Sequence, residues 1–213
     1  MLLLNGIVFI LVGMTLYFFI RGSFVLRKYL KKEHNLWGKE TLLFLFALYL
    51  CMVVSVTLFP FPIIYDREID SGLSTAYMTV NWVPLVAVFH DLSQIGVAYS
   101  GDTWFMVGLI IRNIGGNILL LMPLGYLVPL LWESFKLKQT LLLGLCISVL
   151  IEFSQYWEIK IGAFGRVTDI DDVIFNVLGS YLGYMFYKLT IMIFKNFVQP
   201  IVARKNSKSY STH

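Results

Sequence analysis

Cysteine is scarce in this chain. There are two, Cys51 and Cys146, and each lies inside an apolar run. No disulfide framework and no paired zinc-type spacing can be built from them, so both read as packing residues. Histidine is nearly as rare: His34, His90 and His213 share no helix face, which removes an H-E-x-x-H site. A phosphohistidine mechanism would need a histidine beside a basic cluster, and His90 has no such surroundings. No G-x-S-x-G elbow and no phosphate-binding glycine loop occurs. Neither a metal nor a cofactor is expected.

Charge is the most telling shortage. Only 14% of the 213 residues are charged and 58% are hydrophobic, whereas a soluble domain has about a quarter of its residues charged. Several apolar runs approach the roughly 20 residues that cross a bilayer. An integral membrane protein follows. The +4 net charge is not a nucleic-acid signal, because the basic residues flank the apolar runs, where anionic lipid headgroups are their neighbours.

Five spans are expected, in an all-α polytopic bundle. The first covers residues 2–20; with no basic residue before it and Arg21 directly after, it reads as a retained helix rather than a cleaved signal. Residues 21–40 form a basic loop. The second span, 41–59, stops at Pro60-Phe61-Pro62. The connection over 62–102 carries Asp66, Glu68, Asp70, Asp91 and Asp102. Its apolar middle, 77–89, is too short to span and reads as interfacial or re-entrant, with Trp82 at headgroup depth. The stretch 103–132 is too long for one upright span. It is either a tilted, kinked helix or a short interfacial helix ending near Arg112 followed by a span over 113–132. The second reading keeps Arg112 out of hydrocarbon and is preferred. A short loop over 133–139, a fourth span over 140–157, a loop over 158–171 and a fifth span over 172–194 complete the bundle.

The basic residues orient it. Thirteen of the 17 fall in segments 21–40, 132–139 and 188–213, which by the positive-inside rule puts the N-terminus out and the C-terminus in. Three parts are expected: a first helix with its basic loop (1–40), a membrane domain (41–194) and a basic, partly disordered tail (195–213).

The polar residues of the last three spans then share one depth. Asn113 and Asn117 lie four apart on the third span, and Glu152 and Gln155 lie one turn apart on the fourth. Asp169, Asp172 and Asn176 are spaced three and four, on one face if the fifth helix begins early. Glu152 sits about 18 Å above residue 140, within the outer third of a core about 30 Å thick. An ionised glutamate at that depth needs a partner, either Arg166 or Arg112. Asp169 and Asp172 also fit a helix N-terminus. Three roles remain open for this network: a ligand pocket, an acid–base pair of Glu152 and Asp172 acting on a lipid headgroup, or a scaffold fastening three helices.

The combined spacing Glu152-x-x-Gln155 and Arg166-x-x-Asp169-x-x-Asp172-x-x-x-Asn176-x-x-Gly179-x-x-x-Gly183 resembles the signature of VanZ-like membrane proteins. Asn117-x-x-x-x-x-Pro123-Leu124-Gly125 is similar to that family's N-x-x-x-F-x-P-x-G segment, with Leu121 in place of the phenylalanine. Asn81-x-x-Pro84 resembles its N-x-x-P element. The resemblance implies a multi-pass protein of the bacterial plasma membrane whose founding relative is associated with resistance to teicoplanin-type glycopeptides. The one-sided clustering of polar groups suggests a ligand at the outer leaflet, with membrane lipids and either a lipid-linked envelope precursor or a lipophilic glycopeptide as the expected partners.

Overall fold

The apolar runs fold as helices, and five of these are long and apolar enough to cross a membrane. The computed structural model describes residues 2–30, 37–63, 80–160 and 167–199. The long helices are α1 (Gly6–Leu30), α2 (Trp37–Leu58), α4 (Thr103–Leu131), α5 (Leu137–Lys160) and α6 (Ile170–Ile193), with the short α3 (Val86–Ser93) between α2 and α4. Two small strand pairs join distant segments: β1 (Leu2–Leu4) runs antiparallel to β2 (Phe61–Ile63), and β3 (Val80–Asn81) runs parallel to β4 (Thr168–Asp169). The first pair sets the start of α1 beside the end of α2, and the second sets the segment before α3 beside the start of α6. Part of the apolar segment 77–89, residues 77–79, lies outside the described residues, as do the tail residues 200–213.

Several expected boundaries move; α2, α5 and α6 begin two to four residues earlier than expected, at Trp37, Leu137 and Ile170, and three shifts are larger or bear on the site. The stretch after residue 102 is one continuous helix rather than two. Asp102 caps it by accepting from Phe105 N at 3.0 Å, and nothing between Thr103 and Pro123 interrupts the backbone ladder. At about 1.5 Å per residue its 29 residues reach about 43 Å, longer than a hydrocarbon core of about 30 Å, so an upright helix extends beyond it. Arg112 therefore needs no helix break to leave hydrocarbon. Helix α1 continues through Arg21 to Leu30, because Arg21 is satisfied by a two-pronged pair with Glu40 at 2.8 and 2.9 Å. Helix α5 continues to Lys160 and takes Glu158 with it, buried rather than in a loop.

The tightest packing is between α4 and α6, which run in the same direction. Gly179 lies against the backbone oxygen of Ile118, Gly183 against that of Met122, and Gly125 against the backbone of Ser180. A Cβ at any of these positions would overlap main chain, so only glycine permits the approach. Leu121, Leu124 and Val128 form the buried core beneath, packed by Phe46, Tyr49 and Leu143. Pro123 and Pro129 sit inside α4. Each removes an N–H from the ladder, and Tyr49 Oη donates to Leu120 O at 2.7 Å in the turn that Pro123 disturbs.

Candidate functional site

The candidate site is built where α6 begins. The chain arrives extended, with Asp169 at φ −132° and ψ 127°, a conformation suited to an N-cap. Its Oδ1 accepts from Asp171 N at 2.9 Å and from Asn81 Nδ2, also at 2.9 Å. Its backbone N–H donates to Glu152 Oε2 at 3.0 Å. One residue thus closes the helix end, joins it to α5 and holds the strand that precedes α3. Burial raises the Asp169 carboxyl above the usual carboxylate range, while the hydrogen bonds from the Asp171 N–H and the Asn81 amide pull it down.

Asp171 is 2% exposed and faces the connection over α3. Its Oδ1 accepts from Leu85 N at 2.5 Å, which fixes Leu85 in a left-handed conformation at φ 65°. Removing that carboxylate with Asp171→Ala leaves the Leu85 N–H without its charged acceptor, worth about 2 kcal/mol. Hydrogen exchange should accelerate over residues 80–94 and stay unchanged in α2. Equal protection of 80–94 in the two proteins would show that Asp171 does not anchor this segment.

The next turn of α6 faces the other helices. Asp172 Oδ1 accepts from Asn117 Nδ2 on α4, and Asn176 Nδ2 donates to Ser148 Oγ on α5 at 2.9 Å. Ser148 precedes Glu152 by four residues, as Asp172 precedes Asn176, so the α5 and α6 faces meet in two layers. Glu152 is 6% exposed, Asn176 1% and Ser148 fully enclosed. The carboxylates of Glu152, Asp169 and Asp172 lie within electrostatic reach of one another.

Glu152, Asp169, Asp172, Asn176 and Asn117 are therefore brought together as their spacing predicts. Others are not. Asn113 is exposed and makes no side-chain hydrogen bond among the described residues. Gln155 turns toward α2, where Nε2 approaches Thr57 O at 3.5 Å. Arg112 is exposed and forms no ion pair with a described residue, so it is not the partner of Glu152. Arg166 lies outside the described residues. Three residues join the cluster without having been singled out as site residues: Asn81, Ser148 and Asp171. The i−4 position of Ser148 relative to Glu152 and the Asn81-x-x-Pro84 element were readable signals for two of them.

A family model described as VanZ/LLP1 matches residues 46–193, which takes in α2 from Phe46 onward, α3 to α6 and every residue of this cluster. No curated protein and no solved structure matches the chain. With more than half of its length covered, and with the quoted motifs falling where α4, α5 and α6 converge, the chain is a multi-pass membrane protein that belongs to the VanZ/LLP1 family.

Proposed function

We propose that this protein sits in the bacterial plasma membrane with its N-terminus outside, and binds a lipid-linked envelope component at the outer leaflet. Glu152, Asp169, Asp172 and Asn176 would hold the polar headgroup, and Arg166, three residues before Asp169 in the family spacing, belongs to the same proposed set. The observation that carries this reading is Glu152, a nearly enclosed carboxylate that makes no ion pair with a described residue. Holding an ionised carboxylate at such a position costs several kcal/mol, on the order of 3–5, unless it is answered by an opposite charge, and groups of this kind commonly mark ligand sites.

The surface beside the cluster suits a lipid. Trp82, Val83, Val86 and Phe89 are all exposed, next to the strand and turn that Asp169 and Asp171 hold. An aromatic and aliphatic edge of this kind lies well at headgroup depth. A lipid-linked ligand would present its chain to that edge and its headgroup to the carboxylates.

Expression in a bacterium sensitive to teicoplanin-type antibiotics tests the reading in cells. Occupation of a lipid-linked target should raise the inhibitory concentration over that of an empty vector, and Asp172→Ala should return it to the vector value. Susceptibility equal to the vector's with wild-type protein correctly inserted would remove the link to glycopeptides.

A further inference from the structure

At the end of the bundle opposite the cluster, a cleft of about 490 Å³ opens between the start of α2 and the end of α4. That volume falls within the roughly 300–1,000 Å³ of small-molecule sites. Lys39 and Leu42 line it from α2, and Leu131, Trp132, Glu133 and Ser134 line it from α4 and the turn that follows. Backbone bonds set that turn: Trp132 N–H donates to Val128 O at 2.9 Å, and Phe135 N–H to Trp132 O at 3.0 Å. The Trp132 ring stands edge-on to Phe46 of α2, 5.5 Å between centroids, and lies 6.3 Å from Phe135. The wall is therefore held by both helices rather than by one loop.

The cleft is electrically two-sided. Lys39 stands on the α2 side and Glu133 on the α4 side, both exposed, and neither forms an ion pair with a described residue. Glu40 does not answer its neighbour Lys39, because both of its oxygens are taken by Arg21 at 2.8 and 2.9 Å. The backbone adds the same polarity. A helix start carries partial positive charge and a helix end partial negative charge, so α2 reinforces Lys39 and α4 reinforces Glu133. A ligand of one sign would be attracted by one side and repelled by the other. An apolar one would take both charged groups out of water without replacing it. Leu42 and Leu131 supply an apolar wall, and Trp132 suits headgroup depth.

We infer that this cleft holds the headgroup of a zwitterionic phospholipid, its phosphate toward Lys39 and Ser134 and its ammonium toward Glu133. The site is separate from the one proposed above, lies at the other membrane surface and uses none of its residues. The phosphate accepts from the lysine ammonium and the serine hydroxyl, while the lipid's positive end meets the Glu133 carboxylate. The glycerol and the first methylenes lie along Leu42 and Leu131. Charge pairs this exposed contribute little each, so the cleft selects among lipids already at high local concentration.

The test uses the full chain, stripped of lipid in detergent, with three probes: dihexanoyl phosphatidylethanolamine, dihexanoyl phosphatidylglycerol, and glycerophosphoethanolamine, which has the first lipid's headgroup and no chains. The quantity read is the part of the binding lost in Lys39→Gln, because lipid held at the start of α6 lies at the other end of the bundle. That part should be kept in Lys39→Arg and in Lys188→Gln, which removes an exposed lysine of α6 outside the cleft. It should favour the ethanolamine lipid over the glycerol lipid about fivefold, or about 1 kcal/mol, and Glu133→Gln should erase that preference. Glycerophosphoethanolamine should bind at least about tenfold more weakly than its lipid, since it places no methylenes on the apolar wall. Lys39 and Glu133 are both exposed, so neither substitution disturbs a packed group. Binding of both lipids unchanged in Lys39→Gln would overturn the site. A preference that survives Glu133→Gln would overturn the two-sided reading, and glycerophosphoethanolamine binding as tightly as the lipid would overturn a membrane source. None of these outcomes depends on Glu152 or Asp172.

Discussion

Gly179→Ala and Gly183→Ala should each destabilise the bundle by about 3 kcal/mol, although each adds only one methyl group. The methyl meets main chain rather than a side chain that could turn aside: the Ile118 carbonyl in one case and the Met122 carbonyl in the other. Helices α4 and α6 must then separate, and the layers below the cluster separate with them. Gly115→Ala and Gly116→Ala are the matched controls, since a Cβ there meets nothing within 4 Å. Removing a helical glycine where there is room stabilises by about 0.5–1 kcal/mol. Unfolding midpoints in detergent should therefore fall for the first pair and hold or rise for the second. A common shift in all four would mean that helix propensity, not close approach, sets the effect.

Glu152→Gln should abolish ligand binding while the fold survives. The glutamine oxygen can still accept the Asp169 N–H that Glu152 accepts at 3.0 Å, so the tie between α5 and the start of α6 is retained. Charge is lost, and stability should stay within about 1 kcal/mol of wild type, or improve, because an enclosed carboxylate no longer has to be kept from water. Glu152→Leu should behave differently. It leaves the Asp169 N–H without an acceptor, at a cost of about 1–3 kcal/mol. The contrast separates a residue kept for its charge from one kept for its hydrogen bond, as thermal unfolding and binding measured on the same samples would show.

Much of this arrangement was legible in the sequence, and the reasons differ from residue to residue. Apolar run length located five helices, and spacing of three and four put Asp172 and Asn176 on one face of α6. Asp169 was readable as a cap because an acidic residue ahead of an apolar helix has few other uses. Helix ends were read less well. A run of apolar residues marks hydrocarbon, not the end of hydrogen bonding, so α1 and α5 continue past it once Arg21 meets Glu40 and Glu158 is buried. Asn113 shows the limit of helical spacing. Four residues advance the helix by a full turn and about 40° more, which is enough to turn Asn113 outward while Asn117 meets Asp172. The pairing of Val80–Asn81 with Thr168–Asp169 had no periodic signature at all, because two-residue strands are too short to show one. The contacts of Asn81 and Asp171 go with that pairing; Asn81 was visible only through the Asn81-x-x-Pro84 element, and Asp171 carried no signal of its own.

The central claim is that the polar residues at the start of α6 hold a ligand rather than merely fastening helices. The most direct measurement is the lipid carried by the full chain when it is extracted from its membrane with surrounding lipid and compared with bulk. Wild-type protein should be enriched in one headgroup class. Glu152→Gln, at an unchanged unfolding midpoint, should carry less of that class. Identical lipid complements in two equally stable proteins would contradict the claim and leave the cluster as a fastening of α4, α5 and α6.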